Sequence, residues 1–221
     1  MLTLMRIIHG RNTKIPQVIT LEMYAKIAVL VDYYQCHEAV TLWSDIWITS
    51  LRTVFPKECN RDLVLWILIA SVFQEGELFE MATRIAVNYC ETDLPTMNLP
   101  IGKVADHINS RRQVRIGEIF DCLFSLRVLS GEDSIGCNFA CSSMLLGSLM
   151  LQMHKNGLDS RPTPPYNGYS IVSVMKMINE FETPRWRATC RCTIPKLVQD
   201  NLGDGEKPGL KLEEVFDTSI D

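Results

Sequence analysis

The sequence predicts an all-α fold. Apolar residues recur at three- and four-residue spacing along most of the 221 residues. The periodic segments open on capping residues and close at glycine or proline. Strand signals, by contrast, are scarce. Hydrophobic residues make up 47% of the chain, enough for a real core and too many for a disordered protein. The net charge of -4 gives no reason to expect nucleic acid or an anionic membrane as the main partner.

The elements follow in order. "TLEMYAKIAVLVDYYQC" opens on Thr20 as N-cap, with Glu22 in the first turn, where the helix dipole favours an acid. Ile19 and Tyr24 are spaced for a hydrophobic staple across that cap, and Ile27, Leu30, Val31 and Tyr34 form one stripe. "EAVTLWSDIWITSL" repeats the pattern through Val40, Trp43, Trp47 and Leu51, and Pro56 closes it. Asn60 caps a helix over 61–73, whose run "LVLWILIASVF" reads as buried on all sides. "GELFEMATRIAVNYC" follows almost at once, which predicts an antiparallel hairpin. A long amphipathic segment then runs from Pro100 to about Leu129. Its expected buried positions are Val104, Ile108, Ile116, Ile119, Phe120, Leu123 and Phe124, and "SGEDSIG" ends it. Beyond it come a helix in "SSMLLGSLMLQMHKNG" stopped by Gly157, a Pro-rich loop "RPTPPYNG" and a shorter helix over roughly 170–181. After Cys192 a brief apolar stretch leads into a turn-rich tail.

The opening "MLTLMRIIHG" is too short and too quickly interrupted for a secretory signal. The longest apolar run falls well below the ~20 residues of a bilayer span. The chain is therefore expected inside the cell, in cytoplasm or nucleus, without a membrane and not secreted. On that footing its eight cysteines are expected to be reduced thiols or metal ligands rather than disulfides.

A set of short matches carries a resemblance to a known family. "LMRIIHGRNTKIPQVITLEMYAKIAVLVDYYQCHEAV" resembles the C-terminal end of a BTB/POZ domain, in the form found in fungal BTB-like proteins. The agreement continues through "RDLVLWILIASVFQ", "LPIGKVADHINSRR", "CNFACSSMLLGSLMLQMHKNGL" and "PYNGYS", to about residue 200. The resemblance implies truncated BTB C-terminal helices over 1–55 and a BACK-like helical extension over 56–130. It further implies a Cys-containing helical subdomain over 131–202, with a tail over 203–221. It also implies a non-enzymatic, adaptor-like module for protein–protein interaction. The β-strands that precede "IIHG" in the family have no counterpart here, so homodimerisation through the usual BTB surface is in doubt. The chain then reads as a shortened gene model or as a remnant that has lost its sheet. In either case the helix faces near Ile7, Ile8, Ile27 and Val31 are expected to lack cover, and the protein to associate non-specifically. The alternative function is a transcription-associated protein whose metal subdomain or basic helix contacts nucleic acid.

The candidate sites are few. His9 follows Arg6 and precedes Gly10, a place that suits a helix terminus better than catalysis. Cys36-His37 is half of a zinc pattern without a second half. Lys103, Arg111, Arg112 and Arg115 form either a phosphate-binding patch or, as expected here, a solvated face partly paired with Glu118 and Asp121. Trp43, Trp47 and Trp66 line a peptide groove or, at helical spacing, the core. No phosphate loop, nucleophile elbow or H-E-x-x-H motif is present in the sequence.

One constellation remains. Cys137 and Cys141 lie four apart, on one face of a helix, and Cys190 and Cys192 form a C-x-C pair that a turn can present. Four thiolates in a tetrahedron make a structural zinc site, with His154 as a reserve ligand. Family members often have His-x-Cys where this chain has Cys190-Arg191-Cys192. Histidine and cysteine are interchangeable at zinc but not in a core, and this favours the metal. Locally packed thiols and a disulfide are the other readings.

Overall fold

The computed structural model describes residues 1–128, 135–184, 187, 190–203 and 205–216. Among these there are ten α-helices and no strand, so the all-α expectation holds. The helices are α1 (Leu2–Ile8), α2 (Leu21–Tyr34), α3 (His37–Leu51), α4 (Arg61–Val72), α5 (Gly76–Tyr89), α6 (Gly102–Val128), α7 (Phe139–Lys155), α8 (Ile171–Asn179), α9 (Ile194–Leu202) and α10 (Leu212–Val215). Among the described residues no helix is long and apolar enough to cross a membrane. The expected end of α6 at Leu129 and most of "SGEDSIG" lie outside the described residues.

The chain divides into two compact units. The first comprises 1–90, 94–109 and 208–221, the second 91–93 and 110–207. This grouping differs from the four segments expected from the sequence: 1–55 and 56–90 share one unit, and the expected tail is divided between both.

In the first unit the local signals act as read. Thr20 Oγ1 accepts from the Met23 amide at 3.2 Å, and Asn60 Oδ1 accepts from Leu63 at 3.0 Å. Each satisfies an amide that has no partner within its helix. In α4 every residue from Leu63 to Val72 is buried, which explains why that run shows no polar face. A link of only three residues, 73–75, turns the chain back, so α5 packs antiparallel along α4, and α2 also packs on α4. Tyr24 sits between Trp47 and Phe73, with ring centroids 5.6 and 5.3 Å away, and its hydroxyl bonds Ser44 Oγ at 2.6 Å. Burial pushes the Tyr24 phenol above its ordinary pKa. Trp43, Trp47 and Trp66 are core residues and line no groove; the Trp47 indole N–H donates to the Pro16 carbonyl at 3.0 Å.

The structure corrects three expectations in this unit. Ile7, Ile27 and Val31 are buried, and of the faces expected to lack cover only Ile8 is open. The cover comes from α3 and α4, which pack on α1 and α2. Second, the cysteines are not all reduced. Cys59 and Cys90 form a disulfide with a Cα–Cα distance of 5.2 Å, inside the usual range. The α4–α5 hairpin itself brings them together, since one residue precedes α4 and the other follows α5.

Third, residues 208–216, expected in the turn-rich tail, pack on α5. The Leu210 amide donates to Thr83 Oγ1 at 2.8 Å, and Thr83 in turn donates to the Phe79 carbonyl at 2.7 Å. Leu210 and Val215 are buried, and Phe216 meets Phe79. Gly209 permits this approach, because a Cβ there would lie 1.9 Å from the Glu80 carbonyl oxygen. Gly209→Ala is therefore expected to destabilise the first unit by about 1–3 kcal/mol, the usual cost of overpacking. Urea unfolding followed by tryptophan fluorescence checks this, since Trp43, Trp47 and Trp66 all lie in this unit. An unchanged midpoint would show that the segment is only loosely held.

In the second unit α6 buries Ile116, Ile119, Phe120 and Leu123 as expected, with Phe124 only partly covered. Its two central arginines depart from the expectation. Arg112 is fully buried and donates to the carbonyls of Tyr169 (3.0 Å) and Pro165 (2.7 Å) and to Asp93 Oδ1 (3.0 Å). Arg115, 3% exposed, donates to the carbonyls of Leu202 (2.9 Å) and Gly205 (3.3 Å) and pairs with Glu118. Neither belongs to a solvated face or a phosphate patch, because their donors are spent on carbonyls that the surrounding loops leave without helical partners. Asp121 pairs with Arg161 and not with the α6 arginines. The brief apolar stretch expected after Cys192 forms α9, which runs on into residues expected in the turn-rich tail. Thr193 caps it and Pro195 sits in its first turn, where a missing N–H costs nothing.

Candidate metal centre

The second unit also brings the four cysteines together. Asn138 is the N-cap of α7, its side chain accepting from the Cys141 amide at 2.9 Å. Cys137 thus lies just before the cap and Cys141 in the first turn, so both sulfurs sit at the positive end of a seventeen-residue helix. Cys190 and Cys192 come from the non-helical segment before α9. Two hydrogen bonds hold that segment: the Cys190 amide to the Arg187 carbonyl at 3.0 Å, and the Ile194 amide to Thr183 Oγ1 at 3.3 Å.

All four sulfurs lie within 4.8 Å of one another. Cys190 Sγ is 3.5 Å from Cys141 Sγ and 3.8 Å from Cys137 Sγ. With metal–sulfur bonds of ~2.3 Å, a tetrahedral ion places its sulfurs roughly 4 Å apart, so the cluster can hold a metal ion. The environment is graded. Cys141 is 2% exposed, Cys190 and Cys192 are partly covered, and Cys137 is open to solvent.

Burial and sulfur–sulfur hydrogen bonds together set the protonation of the cluster. Burial pushes the Cys141 thiol up to about 12. Hydrogen bonding with Cys190, with some burial, raises Cys137. Cys190 is lowered, first by the Cys192 backbone N–H and then by the Cys141 thiol. Four thiolates this close repel one another, so without a cation the cluster keeps protons. A cation must displace them, and its uptake therefore weakens as the pH falls.

Glycine 136 completes the geometry, and no sequence pattern announces it. A Cβ there would lie 2.7 Å from Cys141 Sγ and 2.8 Å from the Ser142 amide nitrogen, so only glycine lets the loop pass over the first turn of α7. The Gly136 amide also donates to Ser142 Oγ at 3.1 Å.

The other candidates lie elsewhere. His154, the reserve ligand, is at the far end of α7, where it bonds Asp159 at 2.8 Å. The α7 helix separates it from Cys141 by more than three turns, so it cannot join the sulfurs. His9 is the exposed C-cap residue of α1. His37 opens α3 instead of closing α2, with Cys36 as its N-cap, and neither residue belongs to the four-sulfur cluster. In a comparison with known proteins, no family model, no curated protein and no solved structure matches the chain.

Proposed function

We propose that this chain is a non-enzymatic protein-interaction module, adaptor-like, whose second unit is fixed by one structural zinc ion on Cys137, Cys141, Cys190 and Cys192. The convergence of four thiols from two segments carries the zinc half of the reading. A full set of four protein ligands leaves no open coordination position for a substrate, which is the pattern of a structural site. All-sulfur tetrahedra suit zinc among the common divalent ions. A BTB-like ancestry, proposed on the sequence matches, fits an all-helical array used for binding.

Exposed apolar residues support the interaction half. On α1, Leu2, Met5 and Ile8 are 65%, 38% and 47% exposed, and their spacing puts them on one helix face. On α3, Leu42 and Ile46 are likewise exposed, four residues apart. Contiguous apolar surface of this kind marks protein interfaces. The alternative reading, a nucleic-acid contact through the basic helix, loses Arg112 and Arg115 to internal carbonyls.

The test compares the full-length protein with the double variant Leu2→Glu/Ile8→Glu as bait, read by quantitative mass spectrometry. The expected result is a defined set of partners lost about tenfold or more with the variant, equivalent to at least ~1.4 kcal/mol of binding. An identical set with both baits would refute the α1 face as an interface. A reproducible hit in a broad activity screen, abolished by one point substitution, would overturn the non-enzymatic reading.

A further inference from the structure

Three features of the cluster point beyond a purely structural role. Its sulfurs differ in access: Cys137 is exposed, whereas Cys141 is 2% exposed. They differ in setting, since Cys137 and Cys190 lie on non-helical segments while Cys141 lies in the first turn of α7. And Cys137 already has a second sulfur, that of Cys190, at 3.8 Å.

We propose that Cys137 is an oxidation site, attacked by a hydroperoxide and resolved by Cys190, and that this reaction opens the cluster and releases its cation. The inference rests on the zinc reading above. The coordinated Cys137 sulfur is a thiolate, the nucleophilic form. It attacks the terminal peroxide oxygen; an S–O bond forms, the O–O bond breaks, and alkoxide (hydroxide from hydrogen peroxide) leaves, giving a sulfenic acid. The Cys190 thiolate then attacks that sulfur; the S–S bond forms, the S–O bond breaks, and hydroxide leaves. Two sulfurs supply two electrons to the peroxide, and the metal's charge is unchanged. Only Cys141 and Cys192 remain as ligands, too few for a stable structural site.

Cys141 lies nearer to Cys190 than Cys137 does, at 3.5 Å against 3.8 Å. Its burial shields it from peroxide, so the order of access, and not sulfur distance, selects the pair. The two segments can shorten a 3.8 Å separation to a bond without moving a helix. A thiol reductant and fresh zinc reverse the change.

The experiment uses the full-length, zinc-loaded protein after removal of reductant. Zinc content is measured first. Hydrogen peroxide is then added, zinc release is followed with a chromogenic chelator, and disulfide-linked peptides are mapped by mass spectrometry. The expected result is about one zinc released per new disulfide, with Cys137–Cys190 the dominant link and the pre-existing Cys59–Cys90 link unchanged. In Cys137→His, which keeps a zinc ligand but removes the oxidisable sulfur, release is expected to slow about tenfold or more. Zinc that stays bound while exposed Met1 oxidises would overturn the inference and leave the zinc reading standing. So would a dominant link without Cys137. If the histidine variant binds no zinc, the wild-type linkage map alone decides. A zinc content near zero before peroxide overturns both readings, so the two failures are told apart at the first measurement.

Discussion

Removing the metal, by chelation or by Cys190→Ser, is expected to loosen the second unit while the first stays folded. The reason is the origin of the ligands. One pair belongs to the start of α7 and the other to the segment leading into α9, 53 residues from Cys137 to Cys190. An ion on all four closes that loop, and α7, the Pro-rich loop and α8 lie within the closure. Sites of this kind form only with the fold, so binding free energy becomes folding free energy. The protein's own contacts across the closure include α8 on α9, Ser148 to the Glu182 carbonyl at 2.5 Å, the Ile194 amide to Thr183, and Gln199 to Asn179. Loss of the ion is therefore expected to remove at least about 3 kcal/mol locally, or roughly 100-fold of amide protection in α7–α9. Hydrogen exchange read by mass spectrometry checks this. Peptides over α4 and α5 serve as the internal reference, because those helices have their own core and the Cys59–Cys90 closure. Equal exchange in the two metal states, with zinc bound in one of them, would reduce the ion to a passenger. Cys141→Ser should act in the same direction and more strongly, since it places a hydroxyl in the buried corner of the cluster.

The second large effect is expected at Arg112. Arg112→Met keeps most of the volume but removes donors to two main-chain carbonyls, Pro165 and Tyr169, and to Asp93. A carbonyl left without a partner costs about 1–3 kcal/mol when it is shielded from water, and here both bonds are only part-buried, Pro165 being an exposed residue. Asp93, 48% exposed at its side chain, returns to water and adds little. The balance is about 2–3 kcal/mol lost, centred on the loop 162–169 and the start of α8. The Arg112 Nε has no partner, so the wild-type residue already carries some desolvation cost, and this keeps the figure below the sum of its bonds. Arg112→Lys should recover only part, because one ammonium cannot reach three acceptors held by a planar fork. Thermal unfolding by circular dichroism measures the difference, with the exposed Lys103→Met as a control expected within about 0.5 kcal/mol. A small effect at Arg112 would mean that water replaces the guanidinium, and that the loop is held by other contacts.

Much of this protein is legible from its sequence alone. Helix positions follow from local chemistry: a Thr or Asn cap bonds an amide three residues on, and an apolar stripe repeats with the helical turn. The sequence therefore determined α2, α4 and the α4–α5 hairpin, the buried character of residues 63–72, and which four cysteines were candidates for one cluster. The hairpin even implied that Cys59 and Cys90 meet, though the expectation of reduced thiols hid that consequence.

What required the tertiary structure were facts about distant segments. A charged residue reads as solvated until the carbonyls that surround it are known, as with Arg112 and Arg115. A histidine reads as a spare ligand until the length of α7 separates His154 from the sulfurs. Gly136 and Gly209 look like ordinary turn residues, and only the approach of Cys141 and of the Glu80 carbonyl shows why each lacks a side chain. The cysteine pairs are 49 residues apart from Cys141 to Cys190. No local rule fixes the sign or length of such a separation. It is set by how α7, the loop and α8 pack, and that packing decided that four sulfurs lie within 4.8 Å of one another.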